Sequence, residues 1–195
     1  MQGHNSFVIQ SDAPYSLNFL VYIQNAFLNS RNERGDHPKF PYTDVSQWAL
    51  IEEELFLRRF QEVWEQVIYR LSNNDDFTHE GNLAMNTYIK CLFQNNEDGE
   101  RGYDESSKSF RAWWGSMAGQ IAVERLIGDH IYEDIYQKLS ATIKEDKRLR
   151  IRLVYDKFSL ATLNTLPWHA VLPIEDVFLY KKKDTVSLLL SCCGH

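Results

Sequence analysis

The sequence is short of the features that announce a chemistry. Cysteine occurs three times, an odd number, and Cys192 and Cys193 are adjacent, so no disulfide framework can be drawn and a reducing, cytoplasmic setting is expected. Positive charge is outnumbered: 21 Lys and Arg stand against 27 Asp and Glu, a formal net charge of -6. Phosphate neutralisation supplies most of a general nucleic-acid binder's affinity, so a basic protein is the expected partner and nucleic acid is not. No apolar run approaches the roughly 20 residues that cross a bilayer as a helix. The opening Met1-Gln-Gly-His-Asn-Ser has no basic stretch leading into an apolar one, so no secretory signal is expected. Gly3 is not directly after Met1, which leaves myristoylation unindicated. There is no Gly-rich phosphate loop, no G-x-S-x-G elbow, no C-x-x-C pair and no internal repeat. No cofactor or metal is therefore expected.

What is present is a globular composition rich in rings. Hydrophobic residues make up 44% and charged residues 25%, which excludes whole-chain disorder, and 195 residues suit a single domain. The hydrophobic period divides the chain. Residues 1–146 read as a helical part and 147–195 as a small β part, an α+β fold ending in a sheet of about three strands. Helices are predicted over Pro14–Leu28, from Thr43–Ser46 to Leu71, over His79–Phe93, over Ser107–Leu126, and after Gly128-Asp129. Trp48, Ile51, Leu55, Phe60, Val63, Trp64, Val67, Ile68 and Leu71 form the clearest stripe, with a period near 3.6. Ser30–Pro41 and Asn95–Gly102 are predicted as exposed loops. Leu149-Arg-Ile-Arg-Leu-Val-Tyr alternates apolar and basic residues like a strand with one solvated face. Val177–Tyr180 and Thr185–Ser191 read as a hairpin around Lys181–Asp184.

The candidate sites are weak as chemistry and better as contacts. His79-Glu80 is half of a zinc-protease motif whose second His is missing, since position 83 is Leu. Asp129 and His130, with Glu133, offer an enzyme's acid–base set, but a helix start accounts for Asp129 equally well. Cys192, Cys193 and His195 lack an orienting third group, and Cys91 reads as a small core residue. Trp113 and Trp114 point about 100 degrees apart on a helix, so one is expected at the edge of the fold as an interface anchor. Glu97, Asp98, Glu100 and Asp104 would steer a basic partner toward it. Arg150 and Arg152 form a positive stripe on one strand face.

The segment Leu149–Tyr155, followed by Leu160-Ala161, Leu163, Leu166-Pro167-Trp168, a short strand and Val186–Ser191, resembles the opening of CHAT domains, the caspase-like domains of bacterial proteins. The resemblance covers residues 127–191. His169 stands where that family usually has Glu, and the segments that carry the family's catalytic His and Cys are not reached. The resemblance therefore implies a truncated or inactive protein that assembles with a larger effector. Composition favours the broader expectation of a non-enzymatic protein-interaction or regulatory protein, for instance an immunity or defence-accessory subunit. An unrecognised enzyme using Asp129 and His130 is the remaining alternative.

Overall fold

The computed structural model describes residues 7–31, 38–42, 45–73, 83–116, 119, 123, 129–178 and 182–194. The fold is α+β. Its elements run β1 (Val8–Asp12), α1 (Tyr15–Ser30), a 3-10 turn (Ser46–Trp48), α2 (Glu53–Asn73), α3 (Leu83–Lys90), α4 (Glu97–Trp114), α5 (Asp129–Thr142), β2 (Arg148–Val154), β3 (Thr165–Leu166), β4 (His169–Pro173), α6 (Ile174–Phe178) and α7 (Lys182–Cys192). The sheet has the order β1-β2-β4-β3. β1 and β4 both run parallel to β2, and β3 is antiparallel to β4.

A strand inside the N-terminal part was not predicted. β1 is a half-buried edge element, and the partner that makes it a strand, β2, lies at the far end of the chain. No local pattern announces such a pairing. Two further predictions are corrected. The hairpin predicted over 177–180 and 185–191 is not formed: Val177 and Phe178 belong to α6 (Ile174–Phe178), 185–191 belongs to α7 (Lys182–Cys192), and 179–181 lie outside the described residues. Thr185 and Leu189 in α7, and Cys193 just after it, are buried at four-residue steps. A short apolar run such as Leu188–Leu190 does not distinguish the two periods by itself. The stretch 95–102 is not a loop but the start of α4, with the Asn96 side chain accepting from the Gly99 amide at 2.8 Å as its N-cap. Its glycines serve close approach: a Cβ on Gly99 would lie 1.8 Å from the Gln94 carbonyl oxygen, and one on Gly102 1.9 Å from that of Trp48.

The long second helix also starts later than predicted. Ala49 sits in the left-handed region at φ 48, and Leu50 bridges to Phe93, so residues 49–51 stay outside any helix. From Glu53 on, the predicted stripe holds: Phe60, Val63, Trp64, Val67, Ile68 and Leu71 are all buried, and Phe56 joins them.

α1 sits at the centre, with Ser16 through Phe27 buried all round and α2, α4 and β2 packed against it. Three fully buried amides make this possible. Asn18 donates to the Pro14 and Leu153 carbonyls, both at 2.9 Å, and accepts from the Tyr155 amide at 2.9 Å. Gln24 donates to Lys157 O at 2.8 Å and accepts from Leu160 N at 3.0 Å. Asn25 donates to Phe40 O at 2.9 Å and to Asp156 at 2.8 Å. The chain leaving β2 is thus held by side chains of α1. Asn18→Ala is expected to lower the unfolding free energy by about 2–4 kcal/mol, since a buried group left unpaired costs about 1–3 kcal/mol. Urea titration checks it: the midpoint should fall at constant m, and a change below about 1 kcal/mol would remove Asn18 from this role.

Candidate functional site

The register of the sheet puts Gln10, Asp12, Arg148, Arg150, Arg152, His169 and Val171 on one face, because residues paired across parallel strands point the same way. The sequence pattern predicted this face of β2 to be solvated. Arg152 is instead 1% exposed. The C-terminal end of α2 lies against it. Arg152 donates to the Asp12 carboxylate in an ion pair, to the Leu71 carbonyl at 3.0 Å, and through Nε to His169 Nε2 at 3.2 Å. Arg150 donates to the Ser72 carbonyl at 3.2 Å. The two arginines therefore meet the last carbonyls of α2, which have no partner within the helix and carry its negative dipole end.

This geometry fixes the state of His169. Its Nε2 accepts from a cation, so Nδ1 carries the proton, and Nδ1 is buried with no partner among the described residues. Burial, followed by the charges of Arg152 and Arg150, pulls its pKa from 6.5 down to about 4. A neutral imidazole whose lone pair is occupied is a poor general base at neutral pH. The cluster is a structural knot of β1, β2, β4 and α2.

The thiols are not activated either. Burial pushes the Cys192 thiol up to about 12, with Cys193 beside it adding to the shift. Its sulfur lies 3.1 Å from the Leu189 carbonyl, to which it donates. Cys193 is buried and also raised, chiefly by desolvation. Cys91 is exposed rather than core; the part of its surroundings that excludes water still raises its pKa. A nucleophilic thiol needs the opposite shift. His79, Glu80 and His195 lie outside the described residues, as do the side chains of Asp129 and His130, which fall in the first turn of α5. Glu133 is exposed and accepts from Gln137 at 2.9 Å. Among the described residues, no group of His, Cys, Asp and Glu is placed to hold a metal ion, and no helix is long and apolar enough to cross a membrane.

The predicted contact residues separate into two sets. Trp114 is 1% exposed and stacks on Phe110 at 5.4 Å, so it belongs to the core and not to an exposed anchor. Trp113 is partly buried between Phe40 at 4.7 Å and Tyr155 at 4.8 Å, at the edge of the same aromatic cluster. Glu97, Asp98, Glu100 and Asp104 are all exposed along α4. Of these, Glu100 lines a feature the sequence did not reveal, an open groove of about 780 Å³ where α2, α3 and α4 meet. Ile51, Leu55, Phe93 and Tyr103 provide its apolar surface, Glu52 and Glu100 its acid, and Arg59 and Lys90 its base. Its walls come from three separate stretches of chain, which is why no single motif encodes it. Asp12 and His169 likewise give no sequence signal, since only the sheet brings them to Arg152.

Comparison with known protein families, with curated proteins and with solved structures returned no match.

The neutral His169 sets a pH dependence. The unfolded imidazole binds a proton near pH 6.5 and the folded one only near pH 4. Stability attributable to His169 is therefore intact above pH 6.5 and declines as pH falls through that window, because the unfolded state takes up the proton first. Denaturation curves of the wild type and His169→Gln at pH 7.5 and pH 4.5 should show the wild type losing more stability than the variant on acidification. Equal losses would mean that His169 is protonated in the fold.

Proposed function

We propose that the protein is a non-enzymatic interaction or regulatory subunit that receives a basic segment of another protein on the face built by α2, α3 and α4. The observation that carries this reading is the groove of about 780 Å³. Its floor suits an apolar side chain. Of the exposed carboxylates in this part of the chain, Glu52 just before α2 and Glu100 on α4 line the groove. Glu97, Glu100 and Asp104 follow at steps of three and four residues, which aligns them along one side of the helix. Arg59 and Lys90 stand beside Glu52 and Glu100 in equal number, so the complementary segment is an apolar residue flanked by separate basic side chains that reach the two carboxylates, not a polycation. Complementary charge of this kind raises encounter rates and excludes acidic competitors. Arg152 and Trp114, buried as they are, are not part of this contact set. A role as an immunity or defence-accessory subunit is one form such a protein would take.

A second reading, a truncated CHAT-like protein that assembles with a larger effector, draws support from the parallel pairing of β2 with β4 on either side of Leu166-Pro167-Trp168. Against it stands α7, a helix where the resemblance implies a strand.

The test uses a triple variant, Glu97→Gln, Glu100→Gln and Asp104→Asn, which removes charge but keeps size. The immobilised wild type should retain a protein with a basic segment, with affinity that falls steeply as salt is raised. The variant should bind that protein about tenfold more weakly, or less, at an unchanged melting temperature. A captured partner that binds both forms equally would refute this face as the contact.

A further inference from the structure

The sheet ends on one side at β1, and β1 is open. Every residue of Val8–Asp12 keeps solvent-accessible surface, with Val8 48% exposed, whereas β4 is buried along its whole length. The backbone shows which groups face outward. The Val8 amide donates to Lys147 O at 3.1 Å. In a parallel ladder the residues bonded to the neighbour alternate, so Val8, Gln10 and Asp12 turn their peptide groups toward β2, and Ile9 and Ser11 turn theirs away. Among the described residues, no backbone partner meets the N–H or C=O of Ile9 or Ser11 on that outer side. Edges of this kind are ordinarily guarded by Lys, Pro or a bulge. The run Phe7-Val-Ile-Gln-Ser11 contains no charge and no proline. The opposite edge, β3, is only 2 residues long and offers little to pair with.

We propose that β1 pairs antiparallel with β1 of a second copy of this chain, about a two-fold axis at Gln10, so that the two sheets become one. The strand is self-complementary in this arrangement. Ile9 of each copy stands opposite Ser11 of the other, and the outward N–H and C=O groups of each satisfy those of its counterpart. Gln10 stands opposite Gln10. The exposed Val8 is covered near Asp12 of the second copy, whose carboxylate is already neutralised by its own Arg152. Arg148, which pairs with Val8 in the register, reaches along the strand and donates to Gln10 Oε1 at 3.3 Å, so each Gln10 arrives at the axis with its oxygen already bonded. The same surface on both copies is what an isologous dimer requires. A contact built on one strand buries little area, so the dimer is weak and concentration-dependent.

Sedimentation equilibrium of the full chain from about 5 to 200 μM reads the association directly. The wild type should shift from monomer to dimer over this range. Gln10→Lys sets a cation beside each Arg148 and opposite its own counterpart at the axis, and should weaken association at least about tenfold. Gln10→Cys should form, under mild oxidation, a disulfide between position 10 of the two chains, because opposed residues at a non-hydrogen-bonded antiparallel site lie only about 4.5 Å apart at Cα. Peptide mapping separates that link from any through Cys91. A wild type that stays monomeric, with position 10 not cross-linked, overturns the proposal. So does a dimer that is indifferent to Gln10→Lys, which would place its contact elsewhere. Should Gln10→Lys fail to fold, the cross-link alone decides.

Discussion

The constraint on which the architecture rests is the burial of one guanidinium. Arg152 lies inside the protein at 1% exposure, and a charge removed from water is tolerated only when it is paired and its donors are satisfied. Its partners come from everywhere except its own strand: the Asp12 carboxylate from β1, the His169 imidazole from β4 and the Leu71 carbonyl from the end of α2. Each requirement fixes a neighbour. Asp12 holds the edge strand in register, His169 must remain neutral, and α2 must end where its last carbonyls reach the sheet. Arg150 repeats the last contact at Ser72. A helix that terminates against two cations has its dipole and its orphan carbonyls answered together.

The opposite side of the problem is solved by neutral groups. Asn18, Gln24 and Asn25 project from a helix buried on all faces and bind the chain that leaves β2. Trp64 adds a bond to the Leu163 carbonyl at 2.7 Å, which ties the same connection to α2. Asn18, Gln24, Asn25, Arg152 and His169 are therefore occupied in folding, and desolvation raises the pKa of each thiol. The α2–α3–α4 groove and the outer side of β1 are the surfaces proposed for partners.

Legibility in the sequence followed the range of the interaction. α1, most of α2, α5 and β2 were readable because their signals are local: Val63, Trp64, Val67 and Ile68 mark a helix without help from the rest of the chain. The start of α4 was misread because Gly99 and Gly102, taken as loop residues, are there to let a helix approach Gln94 and Trp48. α7 was misread because an apolar run of a few residues fits both periods. β1 and the Arg152 cluster were not readable, since Asp12, Arg152 and His169 acquire meaning only through strand pairing. Among the candidate residues, the carboxylates of α4 are exposed, while Arg152 and Trp114 are internal. The alternation that suggested a solvated basic face was real, but α2 covers that face.

The central claim, that the buried Arg152 depends on its ion pair with the partly exposed Asp12, is tested most directly by a double-mutant cycle. Unfolding free energies would be measured for Arg152→Met, Asp12→Leu and the double variant. Removing one member of a buried pair leaves the other uncompensated and is expected to cost about 3–5 kcal/mol, whereas removing both should cost clearly less than the sum. Single losses below about 1 kcal/mol that simply add would contradict the account, because the two charges would then be independent and the fold would not depend on their contact.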